Sequence, residues 1–242
     1  MLEELCARWS FTPEEELVGG YCSKVYADVD RVLKIPFQGE EALTGRIASE
    51  RMSGHLGPVI LEADEASGAV LMGRIVPGTK LSDSDLDDEA CRGIILGFAA
   101  PMERLDTAGL MPVCHFVDAT LPLARELLET TTEEVFLHGD LHHENILLGP
   151  NGWMPIDPKG LVGDPAFELS AYVRNPIGVL AEIRDLSGYL RKRILQLSEE
   201  TGYPSRRIWG WSLLALGSED STLPWSHIHQ ALNGLAQAFQ AP

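Results

Sequence analysis

The densest run of chemically capable side chains lies between His138 and Asp164. It reads His138-Gly139-Asp140-Leu141-His142-His143-Glu144-Asn145, then an apolar Ile146-Leu147-Leu148 and a Gly149-Pro150-Asn151-Gly152 turn. Trp153-Met154-Pro155-Ile156 leads to Asp157. Turn residues between two apolar runs predict a β-hairpin, which returns its second strand beside its first. Asp157 is therefore expected next to Asn145. One aspartate in a polar loop, with an Asn/Asp pair at a hairpin's open end, can orient a hydroxyl and hold Mg²⁺. Those are the parts needed for phosphoryl transfer from a nucleotide. His138, His142 and His143 invite a zinc reading, but there is no His-Glu-x-x-His helix and the four cysteines are far away in sequence. His138 is expected to hold the loop by hydrogen bonding. Asp164, in the Gly163-Asp164-Pro165 turn, is expected to brace that loop through backbone N–H groups. Arg174 is expected to pair with Asp164 or with a phosphate.

Phosphate chemistry also needs donors and cations, and the first part of the chain offers both. Gly19-Gly20 precedes Ser23 and the alternating segment Lys24–Val29; Asp30 turns the chain into Arg31–Ile35. A glycine turn between strands lets backbone N–H groups approach phosphates, although most glycine pairs are only turns. Lys34 sits among Val32, Leu33 and Ile35, and a buried lysine needs an anionic partner. Residues 39–56 read as a helix with Leu43, Ile47 and Met52 on one face and Glu40, Glu41 and Glu50 as possible partners. Two more strands are expected at 58–64 and 69–72. Gly73-Arg74-Ile75-Val76 then leaves the sheet extended, because Pro77 biases Val76 away from helix. This hinge would offer the backbone of Gly73 and Ile75 to an adenine edge.

The elements that must carry these residues divide into two lobes, residues 1–76 and 77–242. The first is expected to be a small antiparallel β lobe with one helix. In the second, helices are expected from Ser82 or Ser84 to Leu105 with a kink at Pro101, and over 121–134, 177–201, 206–216 and 225–239. The fold class is thus α+β. At 242 residues and 45% hydrophobic, the chain can bury a sizeable core. Its 36 acidic against 19 basic residues give a net charge of −17, and the one basic cluster is Arg191-Lys192-Arg193. Nucleic acid is not an expected partner; the charge suits a cationic small molecule, and equally a merely soluble surface. No apolar run approaches ~20 residues, so no membrane span is expected. Free thiols and the absence of a leader-type N-terminus suggest a cytoplasmic monomer or homodimer.

Taken together, these motifs resemble the aminoglycoside phosphotransferase family, a branch of the protein-kinase-like fold. The finer wording is Leu141-His142-His143 inside the loop, Ile156-Asp157-Pro158-Lys159-Gly160 and Gly163-Asp164-Pro165-Ala166-Phe167. It is similar to the streptomycin 6-kinase and hydroxyurea phosphotransferase group. The resemblance implies ATP- and Mg²⁺-dependent transfer of the γ-phosphoryl group to a hydroxyl of a small cationic acceptor. It implies Asp140 as catalytic base and Asn145 and Asp157 as metal ligands. It also implies Lys34 as the phosphate lysine with Glu50 as its helix partner, and Gly19, Gly20, Ser23, Gly73 and Ile75 as nucleotide contacts. Glu168, Glu219 and Asp220 are the acids assigned to the acceptor. Two alternatives stay open: the same chemistry on a sugar, an amino alcohol or hydroxyurea, and a nucleotide-binding protein without turnover.

Overall fold

The computed structural model describes residues 1–17, 22–217 and 225–240. Gly19, Gly20, Glu219 and Asp220 lie outside the described residues. The N-terminal lobe comprises α1 (Leu2–Arg8), β1 (Glu15–Leu17), β2 (Ser23–Ala27), β3 (Arg31–Pro36), α2 (Glu40–Met52), β4 (Ile60–Ala63) and β5 (Val70–Gly73). Its five strands form one antiparallel sheet in the order β1-β2-β3-β5-β4. Alternation along β3 buries Leu33 and Ile35. They meet Tyr26 of β2 and Leu71 of β5, and α1 with its following turn covers that face with Leu5, Trp9 and Phe11. Burying side chains of this size contributes about 1.5–3 kcal/mol each, which is why an acidic N-terminus with few apolar residues still orders.

The chain crosses to the second lobe through residues 74–78. That lobe comprises β6 (Thr79–Lys80), α3 (Asp88–Met102), β7 (Met111–Pro112), α4 (Val113–Phe116), α5 (Pro122–Glu129), β8 (Val135–Leu137), β9 (Ile146–Gly149), β10 (Gly152–Pro155), β11 (Leu161–Gly163), α6 (Pro165–Val173), α7 (Ile177–Ala181), α8 (Leu186–Thr201), α9 (Ser205–Leu214), α10 (Trp225–Gly234) and α11 (Ala236–Gln240). Two small sheets, β10-β9-β6 and β7-β11-β8, lie between the lobes' helices and carry the loops of interest. Every residue of α6 after Pro165 is buried, and α9 contributes Trp209 and Trp211 to the same core. No helix among the described residues is long and apolar enough to cross a membrane.

Several boundaries differ from the sequence expectation, each for a local reason. Asp87, rather than Ser82 or Ser84, caps α3: its side chain accepts the Ala90 N–H at 2.9 Å. Pro101 lies in the last turn of α3, so it marks the end of the helix instead of kinking its middle. The expected helix over 177–201 is two, because Asp185 caps a fresh start at Leu186 by accepting the Gly188 N–H. In α2 the expected face holds at Met52, which is buried, and at Ile47, which packs beside it, but not at Leu43. Leu43 is 40% exposed, and the buried face is Ala42, Thr44, Gly45, Ala48 and Met52. Small residues face inward because this helix packs against backbone of the other lobe. A Cβ on Gly45 would stand 2.7 Å from the Pro158 carbonyl oxygen, and one on Gly160 only 2.2 Å from the Thr44 carbonyl oxygen.

Candidate active site

β8 delivers the chain into the loop His138–Asn145, and the β9–β10 hairpin brings it back. The strands pair from Gly149–Gly152 down to Ile146–Pro155, and the Ile156 N–H extends the ladder to the Asn145 carbonyl at 2.9 Å. Asp157 therefore emerges beside Asn145, as the hairpin predicts. Its φ of +62° places it in the left-handed region, which an aspartate tolerates better than most residues.

The loop is held from three sides. His138 is fully buried. Its Nδ1 accepts the Asp140 N–H at 3.3 Å, so the proton sits on Nε2, which donates to the Ile156 carbonyl at 3.0 Å. Burial pushes its pKa down to about 4, keeping the ring neutral for this task. Asn145 Nδ2 donates to the Asp140 carbonyl at 3.0 Å and to its Oδ2 at 3.3 Å. The third side is Glu168, one turn into α6, whose two carboxylate oxygens lie 3.2 and 3.4 Å from the Gly139 N–H. The N–H groups of His138 and Leu141 also face it.

Glu168 is thus no acceptor ligand: it is 5% exposed and spent on backbone beneath the loop. The bracing role expected of Asp164 belongs to it instead. Asp164 N-caps α6 through the Ala166 N–H, and its other oxygen takes Arg207 and the Trp211 indole N–H from α9. Arg174, expected to meet Asp164, is buried and donates from Nε to the Ser170 carbonyl at 3.0 Å.

Burial raises the Glu168 pKa from 4.5 to about 7, against the pull of the Gly139 N–H. A carboxyl that holds its proton longer when folded stabilises most below its unfolded pKa, and that contribution is lost as pH rises through about 7. Relative to Glu168→Gln, which cannot titrate, the wild type should lose about 3 kcal/mol between about pH 5 and pH 8. Denaturant unfolding of both proteins across that range measures it. A difference that does not change with pH contradicts this reading.

Asp140 itself is ionised. Burial opposes its charge, but the His142 ring, with Nε2 3.7 Å from Oδ1, and the charges of Lys159 and Arg174 hold it well below the usual carboxylate range. So weak a base cannot strip a hydroxyl early. It is suited to orient the O–H and to take the proton late, when the oxygen has become acidic.

Lys34 on β3 reaches across the cleft, but its ammonium pairs with Asp157 and not with Glu50. Glu50 lies further along α2, 42% exposed, and pairs with Arg46. The helix glutamate that does cross the cleft is Glu41, whose Oε1 is 2.7 Å from Lys159 Nζ. Sequence reading missed the Lys159–Glu41 pair; the one signal for it was a lysine between Pro158 and Gly160, directly after the metal-type aspartate.

The other residues expected at the nucleotide are placed differently. Ser23 is buried opposite Pro36 in β2, and Cys22 lines the cleft in its place. The Gly73 N–H is consumed by the Val59 carbonyl at 2.9 Å, so this residue ends the sheet and is not an open hinge donor. Ile75 lies on the extended crossing with its side chain near Gly149.

Between the lobes is a cleft of about 550 Å³. Lys34, Asp140, Asn145, Asp157 and Lys159 line it, with the N-terminal half of α2 as one wall. Among the described residues no three His, Cys, Asp or Glu side chains converge as a closed metal cage. The donor set is instead the Asn145 carboxamide oxygen, left free because its nitrogen is committed to Asp140, and the Asp157 carboxylate. Two hard oxygen ligands match what Mg²⁺ takes from protein beside phosphate and water, so the residues fit that ion.

Comparisons with known proteins bear on what such a cleft does. The chain is 29% identical over 241 residues to streptomycin 6-kinase of Streptomyces glaucescens, covering 88% of this chain and 78% of that protein. It is 33% identical over 180 residues to streptomycin 3''-kinase of Klebsiella pneumoniae, covering 63% and 65%. In fold it is similar to a thermostable mutant of aminoglycoside phosphotransferase APH(4)-Ia, solved as a ternary complex with AMP-PNP and hygromycin B. The TM-score is 0.59 at 13% identity, with 98% of this chain and 96% of that one covered. The architecture is therefore the two-lobed, protein-kinase-like α+β fold. The sequence pattern of one kinase family matches residues 94–223, more than half of the chain and including the whole His138–Asn145 loop and the β9–β10 hairpin. On that match the chain belongs to the aminoglycoside/hydroxyurea antibiotic resistance kinase family, enzymes of phosphoryl transfer to a hydroxyl.

Proposed function

We propose that this protein transfers the γ-phosphoryl group of ATP to a hydroxyl of a streptomycin-like aminoglycoside and thereby inactivates the antibiotic. The observation that carries the reading is the convergence of Asp140, Asn145, Asp157 and Lys34 on one cleft. In the reaction the acceptor oxygen forms its bond to the γ-phosphorus while the bond from that phosphorus to the β–γ bridging oxygen breaks. The electron pair leaves on ADP. Asp140 orients the acceptor O–H and receives its proton as the new bond forms. Asn145 and Asp157 would hold Mg²⁺, which when bound offsets charge on the phosphate oxygens. Lys34, already on Asp157, is within the same wall and offers its ammonium to the phosphates. Ile75, on the crossing between the lobes, is the backbone candidate for the adenine edge.

The acceptor assignment rests on charge and kinship. The chain carries −17, and Glu40, Glu41 and Glu144 line the cleft, so a polycation would be drawn toward it. Phosphorylation adds negative charge to such a molecule and opposes its binding to an anionic target. An ADP-release screen over aminoglycosides, sugars, amino alcohols and hydroxyurea, with mass analysis of the products, tests the assignment. Turnover confined to streptomycin and its close analogues is expected. Turnover confined to a neutral or anionic compound would remove the aminoglycoside reading and leave the phosphoryl chemistry.

A further inference from the structure

Lys159 is held as catalytic groups usually are, with a fixed backbone and a side chain that has somewhere to go. Its N–H donates to the His138 carbonyl at 2.8 Å, and its own carbonyl accepts Thr44 Oγ1 at 2.7 Å. It is therefore tied to the catalytic loop on one side and to α2 on the other. Its ammonium lines the cleft 2.7 Å from Glu41, and Asp140 lines the same cleft.

The ion pair with Glu41 is not what docks α2. That is done by the Gly45–Pro158 and Gly160–Thr44 backbone approaches, the Thr44 hydrogen bond, and the apolar contacts of Ala48 and Met52 with Met102, Leu110 and Phe136. The Glu41 side chain is 40% exposed, and ion pairs with one partner so open to water add little to docking. The other cations lining the cleft are engaged differently: Lys34 on the proposed metal ligand Asp157, Arg46 on Glu50. A phosphoryl group entering beside Asp140 meets a carboxylate of its own sign, and Lys159, tied by its backbone to His138 of the same loop, is a second ammonium lining that cleft.

We infer that Lys159 is a second catalytic cation, which turns from Glu41 onto the equatorial oxygens of the transferring phosphoryl group, with Glu41 as the positioning residue that holds it ready. The inference rests on the phosphotransfer reading above. Lys159 neither gains nor loses a proton in the step; it offsets charge that grows in the transition state.

Steady-state kinetics with the wild type, Lys159→Met, Lys159→Arg and Glu41→Gln tests this, together with thermal shift by ADP alone and by ADP with aluminium fluoride and Mg²⁺. Aluminium fluoride stands in for the transferring phosphoryl group. Lys159→Met should lower kcat about a hundredfold or more, with the KM for ATP within about threefold. It should keep the shift by ADP and lose the added shift from aluminium fluoride. Lys159→Arg should recover part of both, and Glu41→Gln should change kcat only several-fold. Lys159→Met with near-wild-type kcat and aluminium fluoride shift overturns the inference and leaves the phosphotransfer reading standing. A melting temperature that falls in parallel with kcat, with no recovery by arginine, also overturns it, because the role is then structural. A wild type that transfers to no acceptor and gains no stability from ATP removes both.

Discussion

Asp140→Ala should lower kcat by about 10³–10⁴-fold, in the upper part of the range for removing a group that orients a hydroxyl and takes its proton. The rest of the site should survive the change. Asn145 Nδ2 keeps its 3.0 Å bond to the residue-140 carbonyl, and His138 keeps the residue-140 N–H. Glu168 still holds Gly139. The loop and the Asn145–Asp157 pair proposed to hold Mg²⁺ are thus fixed by backbone, not by the Asp140 carboxylate. ATP with Mg²⁺ should accordingly still raise the melting temperature, by nearly the wild-type amount. Single-turnover transfer and a thermal shift on the same sample separate the two. Residual kcat within about tenfold of wild type, or loss of the nucleotide shift along with turnover, would place the chemistry elsewhere.

Gly160→Ala should be severely damaging for a single added methyl. Gly160 has φ +72°, which strains any residue with a Cβ, and the new Cβ would stand 2.2 Å from the Thr44 carbonyl oxygen and 2.6 Å from its carbon. Both neighbours are helix backbone, so no side chain can turn aside. Either α2 backs away from the Asp157–Gly160 segment or that segment shifts beneath it. The first releases the Thr44–Lys159 bond and the Lys159–Glu41 pair; the second disturbs Asp157. Strain and overpacking together should cost about 3–5 kcal/mol, or a fall of roughly 10 °C in melting temperature for a chain of this size. Activity should fall more than stability, because the walls of the cleft move with α2. Thr44→Val serves as the comparison: it removes one hydrogen bond, worth about 1 kcal/mol, and leaves the approach intact. Gly160→Ala melting within about 2 °C of wild type with normal kcat would show that the lobes are not tightly docked here.

How much of this was legible in the residues follows from how local each signal was. The hairpin was, because two apolar runs flank a turn, and with it the adjacency of Asn145 and Asp157. The sheet of the first lobe was, since β2 to β5 alternate or run apolar between turn residues. Long-range pairings were not. Glu40, Glu41 and Glu50 share one helix, and sequence spacing cannot say which one faces a lysine on another element. Family resemblance chose Glu50, whereas the structure pairs Glu50 with Arg46, Lys34 with Asp157 and Glu41 with Lys159. The inward face of α2 follows from its pattern only in part, at Ile47 and Met52, for a related reason. Apolar periodicity favours Leu43, but a helix pressed on backbone needs Ala42, Gly45 and Ala48 there, and small residues carry little hydrophobic signal. Glu168 holds the bracing place expected of Asp164 because a capping aspartate and a bracing carboxylate look alike until α6 and α9 are packed together.

In the proposed function the cleft moves a phosphoryl group onto a small-molecule hydroxyl through Asp140. The most direct measurement incubates the purified protein with streptomycin, Mg²⁺ and ATP radiolabelled at the γ-phosphate, beside Asp140→Asn under the same conditions. Label is expected in phosphorylated streptomycin with the wild type and at least about a hundredfold less with the variant. Label remaining in ATP or free phosphate with streptomycin and with every other hydroxyl acceptor, or equal transfer by the two proteins, would contradict it.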